Sequence, residues 1–342
     1  MKIFLTGGAG FLGSWLVDDL LEAGHTIVSI DSMIGGYTDN ITKHPRHTFI
    51  KADILDLEAM TEAMAGCDAV YHTASLAYEG LSVFSPKLVT ENIVTGTVSV
   101  ATAGIRNRIK RFVNCSSMAR YGENQIPFKE STPARPHDPY GIAKVAAEMQ
   151  LDLLGEIHGF EVVHAVPHNI IGARQKYDDP FRNVASIMIN MMLQGRQPIV
   201  YGDGQQMRCF SFISDDVFVF KELLTCNLME HGEKFNVGPD EDSGEHVAFV
   251  TINELARRIA RLLDFDLKIQ YHDPRPCEVK LATCSAEKVR ERFGYETKVK
   301  LDDGLQSIID YVKHRGVKQF EYHLPIEIHT AKLPKAWKDR LF

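Results

Sequence analysis

The sequence predicts an α/β protein, a doubly wound parallel sheet carrying a smaller C-terminal α/β lobe. Two observations predict it. Short apolar or β-branched runs alternate with helical stretches through the first two-thirds of the chain, the rhythm of right-handed βαβ units. A glycine-rich turn, Gly7-Gly8-Ala9-Gly10-Phe11-Leu12-Gly13, joins the first such run to the first helical stretch. That is where a sheet of this kind receives an anion, on the unpaired N–H groups of a helix start.

The elements follow in order. Residues 2–5 read as a strand and 13–23 as a helix, with Trp15, Leu16, Leu20 and Leu21 at helical spacing. Strands are expected at 26–30, 47–51, 69–72, 112–115 and 162–166, and helices at 57–65, 88–103 and 140–158. After Asn169 the rhythm loosens. Helices are expected at 181–194, 215–228, 252–263 and 286–293, and strands at 199–201, 234–237 and 267–271. Met188, Met191 and Met192 in the first of these helices read as core filler. Residues 1–168, with a returning segment 209–240, form the expected nucleotide domain. Residues 169–208 and 241–315 form the second lobe. Residues 316–342 hold Pro325 and Pro334 and no sustained period, and read as a surface-wrapping tail.

Composition bounds the function. At 342 residues, 44% hydrophobic and 24% charged, the chain is an ordinary globular enzyme in make-up and long enough for two lobes around a cleft. A net charge of -7 with scattered Lys and Arg argues against nucleic acid as a partner. No apolar run approaches the roughly 20 residues that span a bilayer. The six cysteines form no C-x-x-C pair and the fourteen histidines no metal-spaced cluster, so reduced thiols, a cytoplasmic setting and no catalytic metal are expected.

Gly7, Gly10 and Gly13, with Phe11 and Leu12 between, form the expected pyrophosphate seat. Asp31 closes the second strand eighteen residues after Gly13. A carboxylate there accepts from both ribose hydroxyls and repels a 2′-phosphate, which favours NAD over NADP. Asp53 and Ile54 follow the third strand and either border the adenine or cap a helix. Far downstream stand Tyr140 and Lys144, one helical turn apart and so on one face. A phenol ordinarily titrates near 10. A neighbouring ammonium and an oxidised nicotinamide would bring it down toward a usable base. Ser116-Ser117, at the end of a predicted strand, supplies a hydroxyl to orient the substrate oxygen.

These motifs give the chain its resemblance to the extended short-chain dehydrogenase/reductases, and within them to the UDP-galactose 4-epimerase type with a Rossmann-type sheet. Matching segments include Val70-Tyr71-His72-Thr73-Ala74, Ser116-Ser117 with Tyr121-Gly122, Pro139-Tyr140-Gly141-Ile142-Ala143-Lys144, Asn169-Ile170-Ile171-Gly172, Tyr201-Gly202-Asp203-Gly204, Arg208 and Arg275-Pro276. The likeness covers about residues 1 to 312. It implies that Ser117 holds a sugar 4-hydroxyl, Tyr140 takes its proton, Lys144 tunes the tyrosine and holds the nicotinamide ribose, and C4 exchanges hydride with NAD. Arg208 and Arg275 would hold a nucleotide diphosphate, with Asn169 as a backbone-side contact. The resemblance also implies a homodimer, joined through helices near residues 90–103 and 140–158.

Departures narrow or loosen the transfer. Met118, Ala119 and Arg120 stand where related dehydratases and decarboxylases carry acids, which favours epimerisation or simple oxidoreduction at C4. Val166, Ile171, Cys209, Cys277-Glu278 and Ala77 differ from the usual residues on the sugar side. Ala282 stands where plain-hexose epimerases are bulky, so it would leave room for a 2-acetamido group. The expected activity is a UDP-glucose/galactose or UDP-N-acetylhexosamine 4-epimerase. A dehydrogenase with exchangeable NAD(H) and a non-catalytic NAD-binding protein are the alternatives.

Overall fold

The protein is described from a computed structural model, covering residues 1–239 and 249–342. The expected join between returning segment and second lobe, at 240–241, lies outside the described residues.

Six strands open the fold in chain order: β1 (Lys2–Thr6), β2 (Thr26–Asp31), β3 (His47–Lys51), β4 (Ala69–His72), β5 (Arg111–Cys115) and β6 (Glu161–Pro167). With Glu233–Val237 they make one seven-stranded sheet, ordered Glu233–Val237, β6, β5, β4, β1, β2, β3. Every pairing in it is parallel. Ile3, Phe4 and Leu5 are all fully buried, because both faces of the sheet are covered. Ile3 and Leu5 enter one core cluster and Phe4 the other, so the strand reads as an apolar run and not as an alternation. Helices Phe11–Glu22 and Ile213–Glu222 cover the first face through Leu16, Leu20, Val217 and Phe220. Leu57–Ala63, Gly96–Arg106 and Pro139–His158 cover the second through Met60, Val100 and Leu151. Strand order reverses between β1 and β4, and the crevice beyond their carboxyl ends is where such sheets take ligands.

A second core is built from helices Val184–Leu193, Ile252–Leu263 and Leu301–Arg315, which interlock Met188, Ile189 and Met192 with Leu255, Ile259, Leu305 and Ile308. Several boundaries move from their expected places. The helix expected at 181–194 starts only at Val184, because Asn183 adopts a left-handed φ of 70°. The helix expected at 215–228 is Ile213–Glu222, and the strand expected at 267–271 is Gln270–His272, parallel to Ile199–Tyr201. Helix Leu301–Arg315 was not foreseen. The stretch Pro86–Arg106 is a continuous helical run of 21 residues, apolar enough by length and composition to cross a membrane, so the absence of any such run was misjudged. Here it packs against its neighbours through Val89, Ile93, Val100 and Ala101.

Residues 316–342 do more than wrap a surface. Leu324, Leu333, Ala336 and Trp337 are buried. Helix Pro139–His158, by contrast, leaves Ile142, Met149, Leu153 and Ile157 more than half exposed. Their spacing puts them along one side of the helix.

Candidate active site

One cavity of about 430 Å³ opens at the strand reversal. Its first wall is the glycine turn. Gly7 and Gly8 both donate to the Ile30 carbonyl, at 2.7 and 3.0 Å, which folds the turn back onto β2. Gly7 has a φ of 78°, and a Cβ there would meet the Ala74 nitrogen at 2.9 Å. Gly10 is the extended residue ahead of helix Phe11–Glu22. Gly7, Gly10, Phe11, Leu12 and Gly13 all line the cavity.

Asp31 ends β2 beside this turn. Its Oδ2 accepts from Ala9 N at 3.0 Å and its Oδ1 from Met33 N at 2.7 Å. Burial pushes the carboxyl above its ordinary value, and the backbone N–H groups of Met33, Ala9 and Gly10 oppose the shift. Asp53 and Ile54 line the cavity too. The helix cap belongs instead to Asp56, which accepts from Ala59 N at 3.0 Å; Asp53 accepts from Leu55 N. Ser75 also lines the cavity, and its buried hydroxyl has no partner among the described residues. Small residues at the turn, a carboxylate with free lone pairs and an orphaned hydroxyl fit a bound dinucleotide.

The proton-handling groups come from β5 and from helix Pro139–His158. Ser116 donates to Glu148, which also accepts from Arg120 at 3.1 Å, so this hydroxyl is committed to the core. Ser117 remains. Its Oγ accepts from Ala119 N at 3.2 Å and shares a hydrogen bond with Tyr140. Asp138 starts the helix by accepting from Gly141 N at 2.8 Å, and Pro139 at the first helical position presets its backbone. That start sets Tyr140 and Lys144 on the cavity face. Lys144 Nζ donates to the Cys115 carbonyl at 2.8 Å and lies 5.8 Å from the Tyr140 ring centroid.

Burial dominates the electrostatics. It drives the Tyr140 phenol above its ordinary range, with the Ser117 hydrogen bond acting the other way, Glu79 adding to the rise and Arg182 opposing it. It also lowers the Lys144 ammonium. The sequence anticipated a lowered tyrosine; in the protein alone desolvation wins, and the phenol is neutral at pH 7 until further positive charge enters.

The opposite wall holds Asn169, Arg208 and Arg275. Asn169 takes a left-handed φ of 41° and donates from Nδ2 to the Cys209 carbonyl at 3.2 Å. Arg275 pairs with Glu278 at 3.1 Å, and Arg208 reaches the same carboxylate at 3.9 Å. Ala282 does not join them. It is fully buried among Met118, Tyr121, Phe128, Val166 and Cys284, so its small side chain is matched by core neighbours and opens no space for an acetamido group.

Several charged cavity groups were missed, among them Glu79, Glu278 and Arg182. Glu79 opens into the cavity but is otherwise enclosed by protein, which raises its carboxyl while Arg208 and Arg275 hold it back. Glu278 braces the arginines. Arg182 lies with its guanidinium carbon 5.3 Å from the Tyr78 ring centroid. All three stand in short loops or a helix of one turn, where no period marks them; only the Cys277-Glu278 departure flagged one.

Fold and site together define a Rossmann-type dinucleotide-binding protein with an enzyme's cleft. Residues 3–238 match the model of the NAD-dependent epimerase/dehydratase family; the chain belongs to that family, and NAD is its cofactor. A putative UDP-glucose 4-epimerase from Methanocaldococcus jannaschii is 30% identical over 92% of this chain and 99% of its own. The UDP-glucose 4-epimerase of Thermotoga maritima, solved with UDP-glucose, superposes with a TM-score of 0.82 at 29% identity, covering 92% of this chain and 99% of that one. The UDP-glucuronic acid 4-epimerase of Bacillus cereus, solved with UDP-glucuronic acid and NAD, gives 0.84 at 26% identity, over 92% and 100%.

Proposed function

We propose that the chain is an NAD-dependent nucleotide-sugar 4-epimerase acting on a UDP-hexose. The observation that carries this reading is the meeting, in one cavity, of the Ser117–Tyr140–Lys144 group, the glycine turn with Asp31, and two arginines on the facing wall. Bound NAD would supply a reversible hydride acceptor for C4 of the sugar.

The side chains do the rest. Ser117 orients the 4-hydroxyl, and Tyr140 removes its proton once Lys144 and the oxidised cofactor offset the burial of the phenol. The 4-keto sugar then turns about its diphosphate link. Arg208 and Arg275 keep the diphosphate anchored through bidentate, always-charged guanidinium groups, and Tyr140 returns the proton. Met118 is the residue that lines the cavity from the Met118-Ala119-Arg120 segment, while Arg120 is tied to Glu148. That segment therefore offers no acid for eliminating water.

UDP-glucose and UDP-galactose are the first candidates, and the relatives support adding UDP-glucuronate and UDP-N-acetylhexosamines to the panel. A second copy of the chain would cover the exposed stripe of helix Pro139–His158. The test is incubation with UDP-, dTDP- and GDP-sugars, resolving the C4 epimers, beside Tyr140→Phe. Interconversion that the variant abolishes, without added NAD(H) being consumed, is the expected result. Full turnover by Tyr140→Phe overturns the mechanism, and stoichiometric NAD(H) consumption overturns epimerisation in favour of a dehydrogenase.

A further inference from the structure

Residues 316–342 lie beyond the stretch that carries the family resemblance, yet they reach the cavity. Trp337 is 2% exposed. Its ring meets Phe181, Phe84 and Tyr201 edge-on, at centroid distances of 5.3, 6.1 and 6.3 Å, and its indole N–H donates to the Pro180 carbonyl at 3.1 Å. A Cβ on Gly80 would lie 3.2 Å from an Arg275 guanidinium nitrogen and 3.4 Å from Trp337 Cη2. The indole and the guanidinium are therefore neighbours over the same glycine. Arg275 in turn stands 4.7 Å over the Tyr201 ring.

Phe342 itself lines the cavity. Its ring lies tilted against Phe320, at a centroid distance of 5.6 Å, and packs on a cluster containing Ile187 and Ile199, beside Tyr201. The Tyr201 hydroxyl is buried with no partner among the described residues. The segment also ties down the start of the helical run Pro86–Arg106 and the loop that holds Asp178. Glu327 accepts from Lys87 N and Leu88 N, each at 3.0 Å, and Ser85 donates to the Pro325 carbonyl. Glu321 N donates to the Asp178 carbonyl at 2.9 Å. Ile54, beside the expected adenine site, packs in a separate cluster.

Two arginines next to an aromatic and aliphatic wall with a vacant hydroxyl match one ligand pattern, an anionic diphosphate followed by a flat, polar-edged base. We propose that Phe342 and Trp337 are positioning residues for the nucleoside diphosphate: Phe342 walls the base, and Trp337 holds Arg275 and the Gly80 loop in register for the diphosphate. The proposal rests on the reading of Arg208 and Arg275 as diphosphate partners. It makes residues 316–342 a determinant of substrate affinity and not of cofactor affinity.

The probe is UDP, titrated calorimetrically against the full chain and against Phe342→Ala, Trp337→Ala, Trp337→Phe and Arg275→Ala, with NAD titrated in parallel. Phe342→Ala and Trp337→Ala should each weaken UDP roughly tenfold, the cost of a removed aromatic anchor, and raise KM for the nucleotide sugar with little change in kcat. Trp337→Phe should recover most of the loss, and NAD affinity should stay within about twofold in every variant. UDP binding unchanged in Phe342→Ala while Arg275→Ala loses it would overturn this proposal alone, as would NAD weakening in step with UDP. UDP binding that survives Arg275→Ala would overturn the diphosphate reading and this one with it. Phe342 is only half-buried, so its variant keeps the test decisive even where Trp337→Ala misfolds.

Discussion

Two glycines in the cofactor turn should separate when each is given a single methyl group. At Gly13 a Cβ would sit 2.1 Å from the Gly7 carbonyl oxygen and 2.8 Å from its carbon. Contacts that short do not persist, so the start of helix Phe11–Glu22 must withdraw from the turn by about 1 Å, a core overpacking that costs about 1–3 kcal/mol. At Gly10 the same methyl would meet the Gly7 oxygen at 3.1 Å and Asp31 Oδ2 at 3.9 Å. The backbone there is extended, with φ of -76°, a conformation that alanine adopts freely. Loss of a glycine cap costs the helix no more than about 1 kcal/mol. Yet that methyl projects beside Asp31, where the pyrophosphate should approach the helix N–H groups.

Gly10→Ala should therefore remain folded and lose NAD, whereas Gly13→Ala should lose both. Holding the phosphate off a single charge-assisted hydrogen bond forfeits about 1.5–3 kcal/mol, a weakening of roughly ten- to a hundredfold. Thermal melting without NAD reads the first quantity and calorimetric NAD titration the second. The expected pattern is a melting temperature close to wild type for Gly10→Ala and several degrees lower for Gly13→Ala, with NAD weakened in both. If Gly10→Ala bound NAD as tightly as the parent, the proposed approach of the pyrophosphate would be wrong. Equal losses of stability in the two variants would sink the packing argument.

Three further expectations follow from buried and exposed groups. Burial lowers His72 and His168 to about 3, below the ordinary 6.5, so the unfolded chain binds more protons and stability falls as pH drops from 6.5 toward 3. Burial raises Asp216 to about 8, so the folded state holds the extra proton and stability falls as pH climbs from about 4 to 8; urea midpoints across this range should flatten in Asp216→Asn, and an unchanged slope would refute the assignment. The stripe of Ile142, Met149, Leu153 and Ile157 should be the seam of a dimer, so light scattering should show twice the chain mass for the parent and a folded monomer for Met149→Asp. A monomeric parent, or a variant still dimeric, rules that out.

The cofactor half of the cavity was legible because it is built from chain that is nearly continuous. Strands buried on both faces, such as β1, read as apolar runs; the glycine turn lies between two of the elements it joins; and Tyr140 and Lys144 share a helix face by spacing alone. Helix Leu301–Arg315 was equally legible and was missed, since Leu301, Leu305, Ile308, Ile309 and Val312 hold helical spacing behind a first turn weakened by Gly304. That glycine is there for packing: a Cβ would collide with the Phe212 ring, at 1.8 Å from Cε1.

The facing wall had no comparable signal. Met207–Cys209, Phe249–Thr251 and Leu281–Ala282 are strands of two or three residues that pair in one small sheet, too short to show a period of two. Arg208 and Arg275 meet through Glu278, a partnership that only the folded chain creates, and resemblance rather than pattern singled them out. Ala282 shows the cost of reasoning about such a wall one position at a time. Its size was read correctly and its surroundings were not, because a strand two residues long can face core or cavity with the same sequence. The role proposed for this long-range wall has to be measured on the folded protein, whereas the cofactor could be inferred from a turn.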